Sequence, residues 1–140
     1  SDLSNKVNNM AKSIIYFQNG ERIIEAGKVE TRMYIILEGE VQISLSDKID
    51  KINVALLKKG DFFGEISLFN KTPRSATATA IGNVKLAIID NAEQLRLFLI
   101  KNPVFAAKMV TTLAQRLAKT DEILVGKVSE LNRLKITRDI

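Results

Sequence analysis

Apolar and polar positions change their period along the chain. Between residues 14 and 90 the period is two. Val41, Ile43 and Leu45 alternate with Gln42, Ser44 and Ser46, which sets an apolar face against a polar one. Ala76, Ala78 and Ala80 alternate in the same way with Ser75, Thr77 and Thr79. Two runs, Tyr34–Leu37 and Leu86–Ile89, are apolar throughout, as strands covered on both faces are. Turn signals fall between them at Asn19-Gly20, Gly27, Glu38-Gly39, Lys59-Gly60 and Gly82-Asn83. Many short strands broken by frequent turns predict a sandwich or β-roll that closes on itself.

On either side the period becomes helical. Leu3, Val7 and Met10 recur at spacings of four and three, predicting a short helix within residues 1–13. A second helix is expected over Asn91–Lys101, ending before Asn102-Pro103. Asn102 suits an N-cap and Pro103 a first helical turn, so a third helix is expected over 103–139. Val110, Leu113, Leu117, Thr120, Leu124, Lys127, Leu131 and Leu134 in it keep strict three-four spacing, and six of the eight are apolar. That is a heptad seam. About 35 residues of helix reach about 50 Å, longer than a roll of this size can cover. The early turns are therefore expected to dock on the strand region and the later turns to pair with a second chain. The expected fold is mainly β with flanking helices: a jelly-roll-like β-roll over 14–90, a short helix over 91–101 and a long C-terminal helix, in one domain over 1–140.

Composition removes most chemistry from this frame. The 140 residues include no cysteine and no histidine. Thiol nucleophiles, zinc ribbons, iron–sulfur clusters, His-ligated metals and Ser-His-Asp mechanisms are excluded. No catalytic residue and no metal site are expected. The formal charge of +5 is uneven: residues 1–100 hold 13 basic and 12 acidic groups, residues 101–140 hold 8 and 4. A basic tail can meet nucleic acid, but no basic block occurs, and a solvated helix face is the preferred reading. No apolar run reaches the roughly 18 residues of a membrane span, and no signal peptide is visible; a cytoplasmic protein is expected. The chain starts at Ser1 rather than Met, so its ends are not taken as biological ends.

Candidate chemistry concentrates between Lys59 and Ala80. Gly64 lets the backbone approach a ligand or take a conformation closed to other residues. Glu65-Ile66-Ser67-Leu68 can make one helical turn with free N–H groups, an anion-binding arrangement. Pro73 stiffens the approach to Arg74, whose guanidinium can offer a two-pronged bond to a phosphate. Alanines at 76, 78 and 80 leave room inside. On spacing alone, Glu65 and Arg74, nine residues apart, are read as a salt bridge ahead of a ligand site.

Phe63-Gly64-Glu65-Ile66-Ser67-Leu68 followed by Pro73-Arg74-Ser75-Ala76-Thr77 resembles the phosphate-binding cassette of cyclic nucleotide-binding domains. That family includes catabolite activator-type transcription factors, regulatory subunits of cyclic AMP-dependent kinase and cyclic nucleotide-gated channels. Upstream, Phe17, Gly20-Glu21, Ile23-Ile24 and Gly27, then Met33–Leu37, Gly39 and Val41, resemble its first strands. Downstream, Asn102-Pro103 and a helix containing Gln115-Arg116-Leu117 resemble the hinge and C-helix of its bacterial members. The likeness covers about 125 of the 140 residues.

The resemblance implies a cassette over 60–76 and a ligand set of Gly64, Glu65, Ile66, Ser67, Arg74, Ser75 and Ala76, joined by Thr120 and Asp121. Glu65 would accept a hydrogen bond from the ribose 2′-hydroxyl, and Arg74 would neutralise the cyclic phosphate. The amides of Gly64, Glu65 and Ser75 and the Ser75 hydroxyl would complete the cradle. Thr120 and Asp121 fall where the C-helix meets the base. Asp121 departs from the expected serine, and Thr120 could instead only set the register of the seam. Cyclic AMP is the expected ligand ahead of cyclic GMP, although Ser75 could also reach a guanine amino group. The function implied is a sensor that binds the nucleotide in the roll, transmits binding through the long helix and forms a homodimer along it. DNA would be met only through a domain outside these residues, if the chain is part of a catabolite activator-type regulator; otherwise it acts through a partner. The alternative is a ligand-free or other-effector roll serving as a dimerisation module. A metal cupin or haem variant is disfavoured without histidine or cysteine.

Overall fold

The computed structural model describes residues 13–46 and 51–139. The helix expected within residues 1–13 lies outside them except for Ser13. That residue is not helical: its carbonyl accepts a hydrogen bond from the Ile88 amide at 3.1 Å, extending the sheet.

Six strands form one antiparallel sheet: β1 (Ile14–Phe17), β2 (Arg22–Ile24), β3 (Met33–Ser46), β4 (Lys51–Leu57), β5 (Phe62–Phe63) and β6 (Thr77–Ile89). The order is β1-β6-β3-β4, with β2 also on β6 and β5 also on β3. The two long strands, β3 and β6, are the spine. They pair from Met33↔Ile89 to Ser44↔Thr77, with register shifts around Glu38. The shift coincides with Gly39, at φ +89°, where a Cβ would lie 2.3 Å from the Asn83 carbonyl oxygen; only glycine lets the strands cross there. The apolar runs behave as their composition requires. Tyr34, Ile36, Leu86 and Ile88 join one core with Ile23, Ile24, Val41, Phe63, Ala78, Ala80 and Val84. The intervening Met33, Ile35, Leu37, Ala87 and Ile89 are buried too, so both faces of these runs are out of water.

One expected alternation fails at its end. Val41 is fully buried and Ile43 packs against the core, but Leu45 is 42% exposed while Ser44 is only 2% exposed. Ser44 is the last β3 residue paired to β6. Leu45 lies past it on a two-stranded ribbon, paired only to Ile52 of β4, where no third strand brings a core. At the same place β4 carries a bulge: Ile43 faces Ala55 and Ser44 faces Asn53.

Three helices are described: α1 (Ile66–Phe69), α2 (Ala92–Lys101) and α3 (Pro103–Asp139). Asn91 caps α2 rather than opening it. Its Oδ1 accepts the Gln94 amide at 2.9 Å, and Gln94 Oε1 accepts the Asp90 amide at 3.0 Å. Asn102 precedes α3, and its carbonyl takes the first helical bond, from the Ala106 amide at 3.0 Å. By contacts the chain divides into two compact units, residues 1–98 and 99–140. The first holds the sheet, α1 and most of α2; the second holds the end of α2 and all of α3.

Candidate anion-binding site

The site is built around a short turn. β5 pairs Phe63 with Tyr34 of β3, and the two rings stack at 5.2 Å between centroids, which fixes where β5 ends. Gly64 follows at φ +81°, the left-handed region, and turns the chain into α1. A Cβ there would lie 2.8 Å from Arg74 Nη1 and 3.1 Å from the Arg32 carbonyl oxygen. Gly64 thus meets two needs: the turn requires its φ, and the guanidinium requires its missing side chain.

Arg74 reaches this turn from a loop stitched to the segment after β2. Its amide donates to the Lys28 carbonyl at 2.8 Å, and its carbonyl accepts the Gly27 amide at 2.8 Å. Three residues on, Thr77 Oγ1 accepts the Ala26 amide at 3.1 Å. The side chain is only 4% exposed. Nη1 donates to the Gly64 carbonyl at 3.0 Å, and Nη2 donates to the Arg32 carbonyl. Glu30 Oε2 lies 3.7 Å from Nη2 as an ion pair. Nε is buried and has no hydrogen-bond partner among the described residues.

Burial pulls the Arg74 pKa below its ordinary value; the fields of Glu30, Tyr34 and Glu65 oppose that and Arg32 adds to it. An arginine stays charged regardless. A buried cationic N–H with no acceptor is costly, on the order of 1–3 kcal/mol or more. An anionic oxygen at Nε would remove that cost. The chemistry on offer is the binding of an anion.

The structure brings Gly64, Glu65, Ser67 and Arg74 together as buried or half-buried groups around the turn. The Glu65 backbone is already helical, and its side chain does not cap α1. Ile66 and Ser75 are exposed and Ala76 is half-buried. Thr120 and Asp121 belong to α3, in the second unit, where both are exposed. The Thr120 hydroxyl donates to the Arg116 carbonyl one turn back, at 3.0 Å. Glu30, which the sequence did not point to, forms an ion pair with Arg74, and the field of Glu65 also reaches that guanidinium. Glu30, Arg32 and Tyr34 carry no local signal, because their partner is some forty residues away in sequence. The described residues contain no group of acidic residues able to hold a metal ion. Among the described residues no single helix is long and apolar enough to cross a membrane.

The family model described as the cyclic nucleotide-binding domain matches residues 14–100. The chain is 38% identical over 85 residues to the cAMP-dependent protein kinase type II regulatory subunit of Drosophila melanogaster, covering 59% of this chain and 22% of that one. It is 30% identical over 113 residues to the CRP-like cAMP-activated global transcriptional regulator of Mycobacterium tuberculosis, covering 80% and 50%. It therefore spans half or less of these relatives. The fold is that of the Thermus thermophilus catabolite activator protein, with a TM-score of 0.71 over 88% of this chain and 57% of that one, at 24% identity. Sheet, cassette turn and family match agree: this chain belongs to the cyclic nucleotide-binding domain family.

Proposed function

We propose that this domain is a sensor that binds cyclic AMP, and cyclic GMP less well, through the turn at Gly64 and Arg74. The observation that carries the reading is the buried Arg74 guanidinium with its unpartnered Nε. A cyclic phosphate supplies one negative charge and the oxygen acceptors that such a group lacks. Glu65, buried one residue after Gly64, is the proposed acceptor for the ribose 2′-hydroxyl. Gly64, Ile66, Ser67, Ser75 and Ala76 complete the proposed set. Thr120 and Asp121 are proposed as base contacts on the resemblance alone.

The proposed output is regulatory rather than catalytic, in keeping with the names of the relatives. A transcription regulator of the catabolite activator type, in the cytoplasm, is preferred. Similarity to the M. tuberculosis regulator runs over 113 residues, against 85 for the kinase subunit, and so extends past the family match at residue 100. DNA would then be met through a part of the protein outside these 140 residues. A homodimer along α3 is proposed because Leu117, Leu124, Leu131 and Leu134 are all exposed along one seam. That same seam supports the rival reading, a dimerisation module whose roll binds another effector or none.

Thermal unfolding with cyclic AMP, cyclic GMP and 5′-AMP separates the readings. Ligand at 100 times its dissociation constant adds about 2.7 kcal/mol of stability, which for a domain of this size raises Tm by roughly 5–15 °C. A rise with a cyclic nucleotide and not with 5′-AMP is expected. No rise with either, in folded protein free of carried-over nucleotide, leaves the dimerisation module as the better account.

A further inference from the structure

Glu30 is the unexplained member of the site. Its Oε2 is shielded from solvent, accepts no hydrogen bond among the described residues, and sits 3.7 Å from Arg74 Nη2. As a structural clamp it is poorly placed: Arg74 is already held by the Gly64 and Arg32 carbonyls and by its own backbone bonds to Gly27 and Lys28. What Glu30 changes is the charge. The ionised groups whose fields reach the Arg74 guanidinium are Glu30, Glu65 and Arg32. Arg32 is itself shared with Asp90, at 3.8 Å. Arg74 and Arg32 against Glu30 and Glu65 sum to zero, so the cradle offers directed N–H groups without excess positive charge.

We infer that Glu30 is a specificity-determining residue that makes the site choose a singly charged phosphodiester over a doubly charged phosphomonoester. The inference rests on reading this site as a cyclic nucleotide site. A cyclic phosphate brings one negative charge; its ring-opened product, 5′-AMP, brings nearly two above pH 7. Both can use the same Arg74 donors. The second charge of the monoester meets a cradle that Glu30 has already neutralised, and repulsion from the Glu30 carboxylate grows with the charge of the ligand. A sensor of this kind would ignore the spent form of its own signal.

The test measures dissociation constants for cyclic AMP and 5′-AMP at pH 8 and low salt, by calorimetry and by displacement. It compares wild-type protein with Glu30→Gln and Glu30→Ala. Glu30 is partly exposed, and two variants of different size guard against a misfolded one. Removing the carboxylate is expected to tighten cyclic AMP binding by roughly three- to tenfold and 5′-AMP binding by about the square of that factor, so that the ratio between them falls roughly three- to tenfold. The change in ratio should shrink in high salt. If both ligands weaken in parallel, or the ratio stays put, Glu30 only positions Arg74 and the inference is overturned. If wild-type protein binds no cyclic AMP, the reading of the site fails first, visibly and without any variant, and this inference falls with it.

Discussion

At the scale of single residues, the site depends on one cation held in a place that disfavours it. Arg74 is buried beside two backbone carbonyls and a carboxylate, with Nε left over. Arg74→Ala should weaken cyclic nucleotide binding by roughly 2–5 kcal/mol, because a largely desolvated phosphate loses its paired charge. Calorimetry checks this, and unchanged affinity would move the phosphate elsewhere. Gly64→Ala should act on both stability and binding. The left-handed backbone disfavours any Cβ by about 1–3 kcal/mol, and that Cβ would meet Arg74 Nη1 at 2.8 Å. A lowered urea midpoint together with weakened binding is expected; a loss of stability alone would mean that the guanidinium moves aside at no cost to the ligand. Gly64, Glu65 and Arg74 were legible in the sequence because they lie within ten residues of each other along the chain. Glu30 was not, because it joins them only when the segment after β2 is laid against the loop before β6.

At the scale of elements, the strand periods were readable where a strand is covered evenly along its length. Both apolar runs, Tyr34–Leu37 and Leu86–Ile89, are buried as expected. The alternation in β3 misled at Leu45, since burial there depends on whether β6 extends as far, and β6 begins opposite Ser44. The start of α3 was legible from local chemistry, with Asn102 just before it and Pro103 opening it, whereas Asn91, expected to open α2, is its cap. α3 has 37 residues, about 55 Å of helix, and the leucines of its seam from Leu117 onward are exposed. Leu124→Lys with Leu131→Lys puts two charges into that seam. If the seam pairs two chains, light scattering should show a dimer becoming a monomer while far-ultraviolet circular dichroism keeps its strand signal. Unchanged mass would mean that the seam does not hold the chains together.

At the scale of the whole molecule, folding couples to pH through Tyr34. Burial first, and the field of Glu30 second, raise its phenol above the ordinary tyrosine value. The unfolded chain then releases this proton near pH 10 while the folded domain still holds it. Over that window the unfolded state binds fewer protons, so stability falls as pH rises through it and is intact below it. Urea midpoints measured between pH 9 and 11 should fall with a steeper slope in wild-type protein than in Tyr34→Phe. Equal slopes would mean that the phenol is not held back by the fold. The same fields connect Tyr34, Glu30 and Arg74, which makes the site and the core beneath it one electrostatic unit. Local pattern alone was enough for the two apolar runs, the start of α3, the glycine turn and the arginine that follows it, since each depends on neighbours close in sequence. Tertiary structure alone decided that Glu30 joins that arginine, which donor is left over, and where an alternating strand stops being buried. Those outcomes depend on the packing of segments distant in sequence, and charge and burial act through space rather than along the chain.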